Sequence, residues 1–163
     1  MIRRSSHHKQ IIILLFLLIS VSACRKRDGG MYFQFKGIEE AKWGQNTSYD
    51  FAVDITDTLS RYDVFLEIRN NESYSFRNLW LFVNLKTPEG QIRRDTVNCE
   101  LADLYGKWHG QGGSLHTLSL PFEQNVQFQI PGTYLYSIRQ GMREDELKGI
   151  SDIGLRVVKQ GKQ

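Results

Sequence analysis

The strongest constraint in this chain is a period-two alternation of apolar and polar side chains, repeated from about residue 33 to residue 158. Phe51, Val53 and Ile55 fall on one face of a candidate strand, with Asp50 and Asp54 opposite. Tyr62, Val64, Leu66 and Ile68 alternate with Asp63, Glu67 and Arg69. A period of two is the signature of a half-buried strand, because successive side chains point to opposite faces of a sheet. Further candidates are 33–35, 79–85, 91–98, 115–120, 125–130, 133–139 and 153–158. Leu79, Leu81, Val83 and Leu85 share a face, while Trp80 and Phe82 occupy the other. That strand is expected to be central and partly covered on both sides. Trp80, Phe82 and Phe128 are accordingly read as core.

Turn residues punctuate the strands. Thr87-Pro88-Glu89-Gly90 fits a type I turn, and Ile130-Pro131-Gly132-Thr133 fits a type II turn that splays strands at a corner between sheets. Many short strands separated by such turns predict an all-β, two-sheet antiparallel sandwich, of jelly-roll or immunoglobulin-like type. One segment departs from alternation. Residues 141–149 are rich in helix formers. One short helical turn is expected near 141–148, seated by Met142 and Leu147 and ended by Gly149.

The N-terminus obeys a different logic. Arg3, Arg4 and Lys9 precede an unbroken apolar run from Ile11 to Ile19, followed by Val21-Ser22-Ala23-Cys24. Basic, apolar, small is the order of a secretory signal. The run is shorter than the roughly 20 residues that cross a bilayer. Val-Ser-Ala-Cys looks like a lipobox, in which the Cys24 thiol takes a diacylglycerol thioether. The expected organisation is a signal peptide over 1–23, a lipidated tether over 24–30 and a β-sandwich domain over 31–163. The tether carries Arg25-Lys26-Arg27, placed to meet anionic headgroups.

Cleavage also changes the charge balance. The chain has 21 Lys+Arg and 18 Asp+Glu, and the signal holds three of the basic residues and none of the acidic ones. Eighteen of each sign remain, which gives no support to nucleic-acid binding. With Cys24 acylated, Cys99 stands alone and is read as a small buried apolar residue.

Catalytic chemistry is sparsely supplied. The mature chain holds His109 and His116. The 109–114 segment lacks the strand–turn–helix setting of a nucleophile loop. Asp54, Asp57 and Asp63 lack the spacing of a calcium loop and are read as solvated strand ends. Glu144-Asp145-Glu146 reads as a charged turn. The aromatic-basic stretch 103–113 is more informative, because four glycines surround Trp108. Two placements of Trp108 stay open: an exposed anchor, or a plug folded inward.

Several stretches occur in a telling order. They are Asn70 before Tyr74, Asn78-Leu79-Trp80, Pro88-x-Gly90, Asp95-Thr96, Leu101-Ala102-Asp103 and Gly106-Lys107-Trp108-x-Gly110-x-Gly112. Pro131-Gly132-x-Tyr134, Gln140-x-Met142-Arg143-x-x-x-Leu147-x-Gly149-Ile150 and Asp152-Ile153-Gly154-Leu155 follow. With the lipobox, this set resembles the gliding-motility lipoprotein family GldH of the Bacteroidota. The resemblance implies a cell-envelope lipoprotein of the gliding machinery, linked to type IX secretion. Only Cys24 transfers with a defined role. The basic residues after it imply, by the same resemblance, attachment to the outer membrane facing the periplasm.

The expected protein is therefore a non-enzymatic envelope component with no cofactor beyond its covalent lipid and no evident small-molecule substrate. Its partners are the membrane and other envelope proteins. The candidate contact residues are Trp108, Gly110 and Gly112 in one loop and Gln140, Met142 and Arg143 in another. A competing expectation is a carbohydrate- or peptidoglycan-binding module, which would show two or more aromatics exposed and coplanar on one sheet face. A third, a hydrolase, would need a polar pocket joining His109 or His116 to a carboxylate.

Overall fold

The alternation becomes ten antiparallel strands in a computed structural model that describes residues 32–161. The expected signal peptide, Cys24 and the expected tether lie outside the described residues. One four-stranded sheet has the order β1 (Tyr32–Gly37), β10 (Ile150–Lys159), β4 (Tyr62–Asn71), β7 (Leu115–Val126). The second has the order β3 (Ser48–Ile55), β8 (Gly132–Gln140), β5 (Asn78–Lys86), β6 (Ile92–Glu100). A two-stranded ribbon of β2 (Lys42–Gly44) and β9 (Glu146–Lys148) closes one end.

The pairing is nested. β5 pairs with β6, β4 with β7, β3 with β8, β2 with β9 and β1 with β10. This is one long two-ended ribbon folded across two sheets, the jelly-roll alternative of the expected sandwich.

The inward faces follow the sequence pattern. Phe51, Val53 and Ile55 of β3 and Leu79, Leu81 and Val83 of β5 meet Val64, Leu66 and Ile68 of β4 and Leu155 and Val157 of β10 in one core. Full burial of such a side chain contributes about 1.5–3 kcal/mol. The outer face of the first sheet is closed by arginines lying on aromatics. Arg69 covers Phe35 at 3.8 Å and Arg156 covers Phe65 at 4.0 Å. Arg156 also donates to Glu67 at 2.6 Å, and Glu67 accepts from Ser119 at 2.9 Å. Glu67 is therefore buried but paired.

The 87–90 turn forms as expected, whereas at 130–133 the corner forms without the geometry of a type II turn. The Gly90 N–H donates to Thr87 O at 2.9 Å, and Gly90 takes φ +86°. The chain passes from one sheet to the other at Gly132, which has φ +137°. There the Tyr134 hydroxyl donates to Ile130 O at 2.9 Å and pins the corner.

Three expectations need correction. The helical turn near 141–148 does not form. Residues 141–145 are an irregular loop, and Glu146–Lys148 is a strand that delivers Leu147, fully buried, opposite fully buried Trp43. A lone leucine among charged residues reaches the core as the middle of a short strand. The only helical segment among the described residues is a 3-10 turn at Glu39–Ala41. Second, 125–130 is not a strand of its own. β7 ends at Val126, and Phe128 turns inward against Tyr62 and Tyr134 at ring distances of 5.3 and 4.6 Å. Third, Trp80 and Phe82 are not core. β5 is an inner strand of its sheet, but its outer face is open, leaving these rings 40% and 36% exposed. Phe128 is buried as expected.

Gly149 earns its place by contact, not as a helix cap. Its φ is +93°, and a side chain there would come within 2.2 Å of the Tyr74 backbone nitrogen. Gly90 has a similar φ but open space around it. Gly90→Ala is expected to cost about 1–2 kcal/mol, the left-handed penalty alone. Gly149→Ala should cost clearly more in chemical denaturation. Equal costs would show that β9 and the 72–77 loop do not approach as described.

Candidate functional site

Strand register sorts the loops between two ends of the sandwich. β4 ends at Asn71, β6 at Glu100 and β8 at Gln140, while β5 begins at Asn78 and β7 at Leu115. The pairs Asn71↔Leu115, Asn78↔Glu100 and Leu81↔Gln140 place all of these at one end. Three loops therefore form a single rim there: 72–77, 101–114 and 141–145.

The 101–114 loop is built by polar clamps. Asp103 Oδ1 accepts from the N–H of Tyr105 at 2.8 Å and of Lys107 at 2.9 Å. The amide of Lys107, foremost, holds the Asp103 carboxyl below its ordinary range. Gly106 completes the turn at φ +81°. The turn displays Leu104 and Tyr105, which are 80% and 95% exposed. Trp108 follows, half-buried, with its ring 5.7 Å from His116 and 6.4 Å from Tyr74. Its indole N–H points at Glu72 at 3.4 Å, and Glu72 meets His116 Nε2 at 2.6 Å. The His116 contact, then that of Trp108, lowers the Glu72 carboxyl.

Of the two placements open for Trp108, the structure realises mainly the inward one. The exposed anchors of this loop are Leu104 and Tyr105. Sequence reasoning missed them, although Asp103-Leu104-Tyr105-Gly106 carries a turn signature with two apolar residues at its tip. Gly110 and Gly112 shape the loop. A side chain on Gly110 would lie 3.1 Å from the His116 and Thr117 backbone, and one on Gly112 would overlap Leu115 O at 1.9 Å.

The 141–145 loop hangs on one buried amide. Gln140, fully buried, accepts from Met142 N–H at 2.7 Å and donates to Glu144 O at 2.9 Å. Met142 packs against the core and lies 3.4 Å from Trp80 N. Arg143 is exposed. A groove of about 410 Å³ runs between Phe76, Trp80, Met142 and Arg143. A second, of about 300 Å³, runs between Phe76, Leu104 and Trp108. Phe76 separates the two, so both sequence-selected loops converge on it. Nothing in the polar segment Asn71-Glu72-Ser73-Tyr74-Ser75 flags that role.

The candidate contact residues thus divide. Arg143 presents itself outward, Met142 and Trp108 in part, whereas Gln140, Gly110 and Gly112 are scaffold. His116 does meet a carboxylate, but Glu72 is largely solvent-exposed and neither residue lines the two grooves. The pair braces the 72–77 loop against β7. Cys99 is fully buried on β6, and burial pushes its thiol up to about 12.

The three aspartates diverge at the other end. Asp57 caps Leu59 and Ser60 and pairs with Lys159, which holds its carboxyl well below the usual range. Asp63 accepts from Asn125 N at 2.8 Å, and Asp54 from the Thr133 hydroxyl at 2.6 Å. Among the described residues, no three His, Cys, Asp or Glu side chains converge as a metal site.

Removing the Gln140 amide would strand a buried N–H and C=O, each worth about 1–3 kcal/mol. Gln140→Ala should therefore lower stability by about 2 kcal/mol or more and speed amide exchange at Met142. Unchanged exchange there would mean that the loop is held by something else.

Comparison with known proteins matches this sequence to a family. Residues 30–157 match the family described as GldH lipoprotein. The "Gliding motility lipoprotein GldH homolog" of Christiangramia forsetii is 34% identical over 157 residues, covering 91% of this chain and 94% of that protein. The "Gliding motility lipoprotein GldH" of Flavobacterium johnsoniae is 29% identical over 153 residues, covering 89% of this chain and 93% of its own. The resemblance carried by the ordered motifs and the match over nearly the whole domain agree: the chain belongs to the GldH lipoprotein family.

Proposed function

We propose that this protein is a non-enzymatic, lipid-anchored component of the gliding-motility and type IX secretion-associated envelope machinery, acting through protein contacts. The lipid on Cys24 would hold it at the outer membrane, facing the periplasm. The observation that carries the reading is the rim. One end of a rigid sandwich displays Leu104 and Tyr105 on a braced turn, beside an aromatic groove edged by Arg143. Exposed aromatic and arginine side chains on a preorganised scaffold are the residue types that dominate binding energy at interfaces. The names of both relatives point to gliding motility. The His116–Glu72 contact braces a loop and leaves the rim grooves without an acid–base pair, which favours contact over catalysis.

A second reading rests on the outer face of β5. Trp80 and Phe82 are both exposed there, two residues apart and thus about 7 Å from each other along the strand. Asn78, Asn98 and Arg139 surround them with hydrogen-bonding groups. Such a face suits a carbohydrate or a peptidoglycan strand. Binding to isolated cell wall that Trp80→Ala abolishes and Tyr105→Ala leaves intact would favour it.

The main reading is tested by crosslinking in intact cells. Tyr105→Ala and Arg143→Ala alter exposed side chains and should leave the melting temperature within a degree or two of the parent. Each should cut the yield of crosslinked envelope proteins about tenfold or more, the loss expected of a contact worth over 1.4 kcal/mol. Two folded variants that crosslink as well as the parent would rule out the rim as the contact face.

A further inference from the structure

The rim is one end of the sandwich, and the other end has a different address. Tyr32 pairs with Val157, and Tyr62 with Lys159, so β1 enters the fold at the end opposite the rim. Only seven residues, eight chain steps, separate Cys24 from Tyr32, a span of at most about 28 Å. At this entry end the β3–β4 turn projects Leu59, which is 89% exposed. The turn is built, not slack. Asp57 accepts from Leu59 N at 2.9 Å and Ser60 N at 3.1 Å, and the Tyr62 hydroxyl donates to Asp57 O at 2.7 Å. Lys159 neutralises the Asp57 carboxylate, while Arg61 makes no ion pair among the described residues.

We propose that the domain stands end-on against a lipid surface, with the β3–β4 turn touching the headgroups through Leu59 and the 103–106 tip facing away. This stance rests on the Cys24 anchor of the preceding section. Three observations support it. The chain that leads to the lipid leaves from this end. An apolar side chain is held outward here on a rigid turn. The exposed Arg61 and the Arg25-Lys26-Arg27 segment suit an anionic surface. Inverting the domain would raise Tyr32 by the seven strand steps from Val157 to Ile150, about 23 Å, plus the depth of the rim loops. The tether would then be near full stretch.

The test uses the full lipidated chain in vesicles that contain anionic lipid and headgroup-labelled nitroxide quencher. A fluorophore is placed on Leu59→Cys or Tyr105→Cys. Cys99 is buried and, with its raised thiol, stays unlabelled in the folded protein, and Cys24 is consumed by the lipid. Both substituted positions are exposed, and circular dichroism checks their fold. The label at 59 should lose most of its emission and the label at 105 should keep it. No quenching at 59, equal quenching at both sites, or quenching at 105 alone would each overturn the proposal. Mass spectrometry of the same preparations reads acylation. An unacylated Cys24 would sink the anchor and this stance together, whereas an acylated protein with an unquenched label at 59 sinks the stance alone.

Discussion

Strand β10 is the last element of the chain, yet it lies inside a sheet, between β1 and β4. Every outer pair of the nested ribbon presupposes the pairs within it. The innermost hairpin, β5–β6, is closed by a tight turn at Pro88–Gly90, but β1 and β10 meet across more than a hundred residues. Closing such separations costs loop entropy before any burial offsets it, so folding of this topology is expected to be slow. What holds the ribbon shut is the core that its inward faces share. Ile153, Leu155 and Val157 of β10 are essentially buried against Leu66, Val64 and their neighbours.

That closure organises the molecule along its length. Nesting puts the strand connections at two ends, and the eight steps on β4 and nine on β10 between the pairs Tyr62↔Lys159 and Asn70↔Ile150 hold those ends about 26–30 Å apart. One end holds Tyr32, where the described chain enters the fold. The other carries the rim. The rim loops seat Tyr74 and Leu101 in the core and are held further by polar clamps: the Asp103 carboxylate, the Gln140 amide and the Glu72–His116 pair. Clamps of this kind order a loop while leaving its tip free, which suits a surface that acts by touching a neighbour. The lipid anchor proposed at Cys24 would add to this by confining the rim to a thin layer, where its effective concentration toward other anchored proteins would be high.

Much of this was legible in the residues. Period-two alternation located eight of the ten strands, because burial on one face is a strong, local signal. Gly90 marked a real turn and Gly132 the passage between the sheets, because both take a positive φ that glycine adopts freely. The short strands β2 and β9 were not legible. Each has three residues, and the pairing of Trp43 with Leu147 spans a separation no local pattern records. That is also why helix formers at 141–149 misled. Propensity yields to one leucine that must reach the core. Trp80 and Phe82 misled in the opposite way, since aromatic content does not say whether a sheet face is covered. At the site, the two loops were found from their glycines and motifs, but Gln140 proved to be a buried clamp. Leu104 and Tyr105 carry the exposure that Trp108 was a candidate for.

Native-state hydrogen exchange on the mature domain tests the nested closure most directly. If all ten strands form one unit, the central amides of β4, β10, β5 and β8 exchange only through global unfolding, with one shared free energy and one denaturant slope. The 103–106 tip exchanges far faster. A separate, lower-energy opening of β1 with β10, while β5 and β6 stay protected, would contradict that account.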